Sequence, residues 1–182
     1  MKRFVLMLGI LLMSFTLFSN LGISAVNLSS QEIKDILHMR EEEKLARDVY
    51  TTLYNLYKIP TFYNISKSEQ THMNAVKTLI NYYNLKDPIT DDSVGKFSDP
   101  KFTELYNNLI ERGKKSVIEA LKVGILIEEL DIKDLQEAIN RTNKADIIRV
   151  YTNLLKGSQN HREAFIKVLQ RYGESYTPTY TN

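Results

Sequence analysis

At 182 residues, with 43% hydrophobic and 25% charged side chains, the chain has the length of one domain with a sizeable core. Seven Gly and four Pro argue against collagen-like, low-complexity or turn-rich β chains, and the absence of Cys excludes disulfides, thiolate metal sites, iron–sulfur clusters and a Cys nucleophile. The formal charge of +2 carries no basic block, which leaves little electrostatic ground for nucleic-acid binding.

Lys2 and Arg3 precede an apolar run from Phe4 to Phe18, and small residues follow around Gly22-Ile23-Ser24-Ala25. A positive n-region, an apolar h-region and a small-residue cleavage site together read as a secretory signal over residues 1–25. That implies export, to a periplasm, the exterior or the cell surface. The apolar run is short for a membrane span, and an uncleaved N-terminal anchor is the alternative. No Cys follows to accept a lipid. Without residues 1–25 the chain carries 22 basic and 22 acidic side chains.

From Ser29 onward the pattern is helical, and an all-α domain is expected over residues 29–173. Ser29-x-x-Glu32 reads as a capping box opening a first helix to about Tyr57, before Pro60. A second helix is expected from about Thr61 to Tyr83. The stretch from Asp87-Pro88 to Asp99-Pro100 reads as loop. A shorter helix follows, about Lys101 to Arg112, closed by Gly113. Ser116-x-x-Glu119 reads as a second capping box, starting a helix to about Ile139. Asn143, with Asp146 three residues on, marks the start of a last helix ending near Tyr172. Residues 174–182 read as a loosely held polar tail. Two closely linked helix pairs joined by one long crossover with a short helix describe an antiparallel four-helix bundle of the ferritin-like variety.

Each long helix carries a seam spaced alternately by three and four residues, the stripe that faces a bundle core. The seams run Ile36, Met39, Glu43, Ala46, Tyr50, Leu53, Tyr57; then Ile65, Glu69, His72, Val76, Leu79, Tyr83. The third is Leu121, Ile125, Glu128, Ile132, Leu135, Ile139, and the fourth Ile147, Tyr151, Leu154, Ser158, His161, Phe165, Val168. Each is polar only near its centre, so Glu43, Glu69, His72, Glu128 and His161 are expected to meet in one buried layer. An unpaired buried charge costs several kcal/mol, against about 1.5–3 kcal/mol gained by burying a Leu. The seams offer no Lys or Arg to pair these carboxylates, so protons or metal must neutralise them. Glu69-x-x-His72 has the spacing of di-iron and di-manganese carboxylate bundles, and oxygen and imidazole donors suit iron, manganese or zinc.

Plainer readings stand beside these. Glu41, Glu42, Glu43 and Lys44 also read as a surface charge run, and Glu-x-x-His arises readily by chance. Asp131, one turn beyond Glu128, reads as an outer partner or an extra ligand. Glu129 and His38 read as solvated or surface residues.

At these residues the chain looks like the ferritin-like superfamily. Glu43 with Ala46 and Tyr50 is similar to its first-helix pattern, Glu69 and His72 to its second-helix carboxylate bridge and histidine, and Glu128 to its third-helix carboxylate. The strings Met39–Tyr50, Ser68-Glu-Gln-Thr-His-Met73, Ile127–Ile132 and Gly157-Ser-Gln-Asn-His161 resemble more closely an uncharacterised ferritin-like family known only as a domain of unknown function. The resemblance spans about Ser29 to Tyr180 and implies a bundle with a metal site but no particular reaction. It has one departure: where bacterioferritin- and rubrerythrin-like bundles carry a second Glu-x-x-His, this chain has Ser158 before His161. That puts a second bound ion in doubt.

The leading expectation is an exported metalloprotein binding one or two iron ions and oxidising Fe(II) with oxygen or peroxide, a ferroxidase or di-iron oxidoreductase. Glu43 and His72 would hold one ion, Glu128 and His161 the other, with Glu69 between. Tyr50 is a hydrogen-bond or electron donor near the site, or a core tyrosine with a satisfied hydroxyl. The alternatives are a non-catalytic bundle stabilised by zinc or manganese and a helical interaction module whose polar layer fixes register. A homo-oligomer is compatible with the pattern.

Overall fold

The Ser29 hydroxyl accepts from the Glu32 amide at 3.1 Å while the Glu32 carboxylate accepts from the Ser29 amide at 2.7 Å, completing the expected capping box. In the computed structural model, which describes residues 27–177, this cap starts α1, Ser30–Tyr57. The signal read over residues 1–25 lies outside the described residues. The other helices are α2 Pro60–Tyr82, α3 Pro100–Gly113, α4 Val117–Asn140 and α5 Ala145–Arg171; no strand occurs among the described residues. The fold is all-α, as expected, and no described helix is long and apolar enough to cross a membrane.

Helix ends explain the connections. Lys58 ends α1 in the left-handed region at φ 55°, and its amide donates to Tyr54 O at 2.7 Å, the capping conformation more often taken by Gly. Pro60 then begins α2, its fixed φ suited to a first turn. Two residues therefore turn the chain back, and α2 packs along α1. The α4–α5 pair forms similarly across Arg141–Lys144, while α1 contacts α4 and α2 contacts α5, closing a ring of four long helices. The short α3 packs outside, on α1 and α4.

Three local expectations are corrected. Gly113 does not close α3 by a left-handed turn: it is the last residue of the helix, and an added Cβ would lie 2.8 Å from Leu53 Cδ2, so any larger residue has to displace the Leu53 methyl. Ser116 caps α4 by accepting from the Glu119 amide, but Glu119 turns its carboxylate to Arg112 at 2.9 Å instead of completing a box. No side chain caps α5, which begins after Lys144; Asp146 instead accepts from Tyr83 Oη at 2.7 Å. The described part of the tail is anchored as well, Tyr176 donating to Glu129 at 2.8 Å.

The segment between α2 and α3 is fastened to α1 by charge. Arg40 pairs with Asp87, Arg47 with Asp92, and the Glu41 carboxylate accepts from the Ser98 and Asp99 amides. Beneath it, Lys44 and Asp48 form a fully buried pair at 2.5 Å, with Lys44 also donating to Ser93 O and Asp48 accepting from the Gly95 amide. Residues 41–44 are thus all buried, and the surface reading of that charge run fails. The apolar interior falls into two clusters. One contains Tyr50, Leu53, Phe62, Ile125 and Phe165; the other Ile36, Met39, Val76, Leu135, Tyr151 and Leu154. Between them lies the polar layer.

A buried carboxylate and imidazole layer

Four helices supply the layer, each at the point where its apolar stripe is interrupted: α1 gives Glu43, α2 Glu69 and His72, α4 Glu128 and Asp131, α5 Ser158 and His161. All five residues expected to converge do so. Glu43, Glu69 and Glu128 are each 1% exposed, which rules out solvation as the means of holding their charge.

Glu69 is the centre. Its Oε2 lies 2.8 Å from His72 Nδ1, and its Oε1 lies 2.7 Å from His161 Nδ1. His72 Nδ1 is also 3.2 Å from Glu43 Oε2, and His161 Nδ1 is 3.5 Å from Glu128 Oε2. The two rings stack at 5.3 Å between centroids. Despite these short approaches, both Glu69 oxygens, His161 Nδ1 and Glu43 Oε1 are buried without an aligned hydrogen bond. Of these approaches, the one between His72 Nδ1 and Glu43 Oε2 is itself a hydrogen bond.

The outer contacts hold these groups in place. Ser68, one residue before Glu69, bonds His161 Nε2 through its hydroxyl at 2.9 Å, leaving Nδ1 to face the carboxylates. Tyr50 Oη donates to Glu128 Oε1 at 2.7 Å, and its ring packs on Phe62 and Phe165. Ser158 Oγ donates to Asp131 Oδ2, whose Oδ1 has no partner. Gly157 lets α5 approach His72: a Cβ there would lie 2.5 Å from Nε2.

The electrostatics follow from burial and proximity. Burial raises Glu69, but the close contacts from His161 and His72 outweigh it and bring its pKa down to about 2. Burial opposes charging of both imidazoles, yet Glu43 and Glu69 raise His72 to about 11, and Glu128 and Glu69 raise His161 to about 10. Burial with the charge of Glu69 pushes Glu128 up to about 8. Burial raises Asp131 to about 7 against its Ser158 bond. Burial and Asp131 hold Glu43 well above the carboxylate range. The layer is thus a proton-rich assembly around one carboxylate.

Sequence reasoning missed several participants. Glu42 is buried beside the layer, its pKa raised by burial and by Asp131. Glu129, read as solvated, is 3% exposed under Tyr176. Ser68 and Gly157 carry no signal by type; only their adjacency to Glu69 and Ser158 pointed to them. His38 is half exposed, as a surface residue should be, but faces Glu42 and Asp134.

An all-helical chain with this acid and imidazole interior belongs to the family described as "Uncharacterized protein domain (DUF2202)", which matches residues 32–182. The domain of unknown function expected from the motifs is thereby shown. Over 153 residues the chain is 57% identical to "Uncharacterized protein MJ0754" of Methanocaldococcus jannaschii, covering 84% of this chain and 83% of that protein. It is also similar to the solved structure described as "Crystal structure of hypothetical protein MJ0754 from Methanococcus jannaschii DSM 2661". There the TM-score is 0.84 and the identity 56%, covering 86% of this chain and 89% of that one.

Proposed function

We propose that the chain is an exported ferritin-like four-helix bundle that binds one or two metal ions in its core, iron in the leading reading, and oxidises Fe(II). The ring of four long helices, the long crossover bearing α3, and the Glu69-x-x-His72 spacing support the architecture. The observation that carries the metal reading is Glu69, which offers a different oxygen to each imidazole at 2.7 and 2.8 Å without hydrogen-bond alignment. Metal–ligand bonds of about 2.0–2.1 Å to nitrogen and oxygen bring neighbouring donor atoms to about 3 Å apart, the spacing of these pairs. The donor set is hard oxygen and imidazole, fitting iron, manganese or zinc.

Glu43 and His72 would hold one ion, Glu128 and His161 a second, with Glu69 between them and Asp131 as an extra ligand or outer partner. Bound iron supplies one-electron redox chemistry. As substrate, two Fe(II) give up one electron each, and dioxygen takes both electrons with two protons to leave as hydrogen peroxide. This chain's own residues set the donor geometry, keep bulk water out, and hold protons at His72, His161, Glu43 and Glu128 that ions displace. Tyr50 fixes Glu128 through its hydrogen bond. The n-region, apolar run and small residues over residues 1–25 support export, which would set this chemistry outside the cytoplasm.

A second reading has its own support. Ser158 stands where a second bridging carboxylate would be and is bonded to Asp131, which favours a non-catalytic bundle stabilised by zinc or manganese. Metal content of the purified protein and oxygen uptake on Fe(II) addition separate the two. The ferroxidase reading requires iron retention and uptake that falls at least tenfold in Glu69→Gln, an isosteric change that preserves packing. Equal uptake by both proteins refutes it, and tightly held zinc without uptake establishes the second reading. Tyr50→Phe keeps the metal content but slows oxidation, because Glu128 loses the hydrogen bond that positions it; unchanged oxidation would show that this bond is not needed.

A further inference from the structure

Next to Glu43 on α1, Glu42 lines a pocket where α1 meets α4 beneath α3. Its Oε2 is buried without a hydrogen-bond partner, although the residue is 7% exposed. His38, one turn earlier, brings Nε2 to 3.5 Å from that oxygen, and Asp134 of α4 brings Oδ2 to 3.4 Å from the same nitrogen. One donor atom from each of the three residues lies within 4.8 Å of the others. These separations exceed the ordinary 2.7–3.2 Å of an N–H···O bond. The two from His38 Nε2 match the edge of a tetrahedron built on bonds of about 2.0–2.1 Å, which is about 3.4 Å. The ring of His38 is steadied on Phe102 of α3 at 5.2 Å between centroids. The three groups border a pocket of about 210 Å³ whose apolar wall includes Leu45, Phe102 and Ile127.

We propose that His38, Glu42 and Asp134 form a second divalent-cation site, separate from the core layer, open to solvent through half-exposed His38 and of the zinc class. One imidazole and two carboxylates provide three ligands, leaving the fourth tetrahedral position to water. Two carboxylates neutralise the dication. The geometry assembles because residues 38 and 42 are one turn apart on α1 and α4 lies alongside; Asp134 is far away in sequence. The site stands whether or not the core binds metal, since it shares no ligand with Glu43, Glu69, His72, Glu128 or His161.

Cobalt(II) tests it, because tetrahedral cobalt absorbs far more strongly in the visible than octahedral cobalt. The full chain and Glu69→Gln are titrated with cobalt(II), then with zinc(II) as displacing ion. A tetrahedral spectrum saturating at one equivalent in Glu69→Gln, displaced by zinc, is expected. His38→Ala and Asp134→Asn, both partly exposed and checked for unchanged helicity, should each lower zinc affinity at this site by at least tenfold without altering binding at the core. The inference is overturned if these two variants bind as many equivalents, as tightly, as the parent chain. It is equally overturned if Glu69→Gln gives no tetrahedral spectrum at millimolar cobalt.

Discussion

Gly157→Ala separates helix stability from site geometry, because the two respond in opposite directions. Gly157 lies well inside α5, and Gly in a helix interior costs about 1 kcal/mol relative to Ala. On backbone grounds alone the substitution stabilises the metal-free fold by that amount, a rise of about 2–4 °C in a domain of this size. The new methyl, however, lies 2.5 Å from His72 Nε2 and 2.6 Å from Cε1. Ordinary carbon contacts are about 3.5–4.0 Å, so the ring has to retreat by roughly 1 Å. It cannot retreat freely: Nδ1 on its other edge is 2.8 Å from Glu69 and 3.2 Å from Glu43. Ligand positions tolerate about 0.2 Å, so the displaced ring no longer completes the constellation. Isothermal titration of Gly157→Ala with Fe(II) under argon, or with Zn(II), should show affinity at the core lower by about 10–100-fold. Helicity should be retained, and the metal-free melting temperature should change by no more than a few degrees. Unchanged affinity in a well-folded variant refutes the reasoning, because a ring that moves 1 Å without consequence is not a ligand.

Two further outcomes are expected. Stability of the metal-free protein should fall as the pH rises from about 4 to 10. Glu128 at about 8, Asp131 at about 7 and the imidazoles at about 10 and 11 all keep protons that the unfolded chain releases at lower pH. Their contribution is present below the unfolded values and disappears as the pH climbs through the folded ones. Glu69 acts oppositely, its contribution being lost only as the pH falls towards 2. Because metal ions compete with the same protons, added metal should reverse the slope between pH 5 and 7, measured by urea denaturation; parallel slopes with and without metal would contradict the site. Separately, Asp48→Asn leaves Lys44 buried without its carboxylate and loosens the Gly95 amide. A cost of about 3–5 kcal/mol is expected, read from the urea midpoint, and a loss below 1 kcal/mol would show that Lys44 finds another partner.

The layer was legible because each of its members interrupts a stripe set by helical spacing alone. Glu43, Glu69, His72, Glu128 and His161 fall on seams whose other members are apolar, and burial of those seams carries the five inward together. The outer face of α1 gave no such signal. Glu41 to Lys44 also read as a surface charge run, and the burial of Glu41 and Lys44, like that of neighbouring Arg40, depends on partners such as Ser98, Ser93 and Asp87, about fifty residues away in sequence. Glu129 is covered by Tyr176 in the same non-local manner. The misread ends of α3, α4 and α5 share a different cause: residue type marks a cap, but the nearest partner decides what the side chain does. Glu119 chose Arg112, and Asp146 accepted from Tyr83.

Because the apolar interior is divided into two clusters, amide hydrogen exchange should resolve two levels of protection along the long helices. The lobe around Tyr50, Phe62 and Phe165 borders α3, whereas that around Ile36, Val76 and Tyr151 lies towards the opposite end of the long helices. Regions with separate apolar contacts behave as separate cooperative units in amide hydrogen exchange. Equal protection of the amides in both clusters would show that the polar layer does not divide the domain in opening.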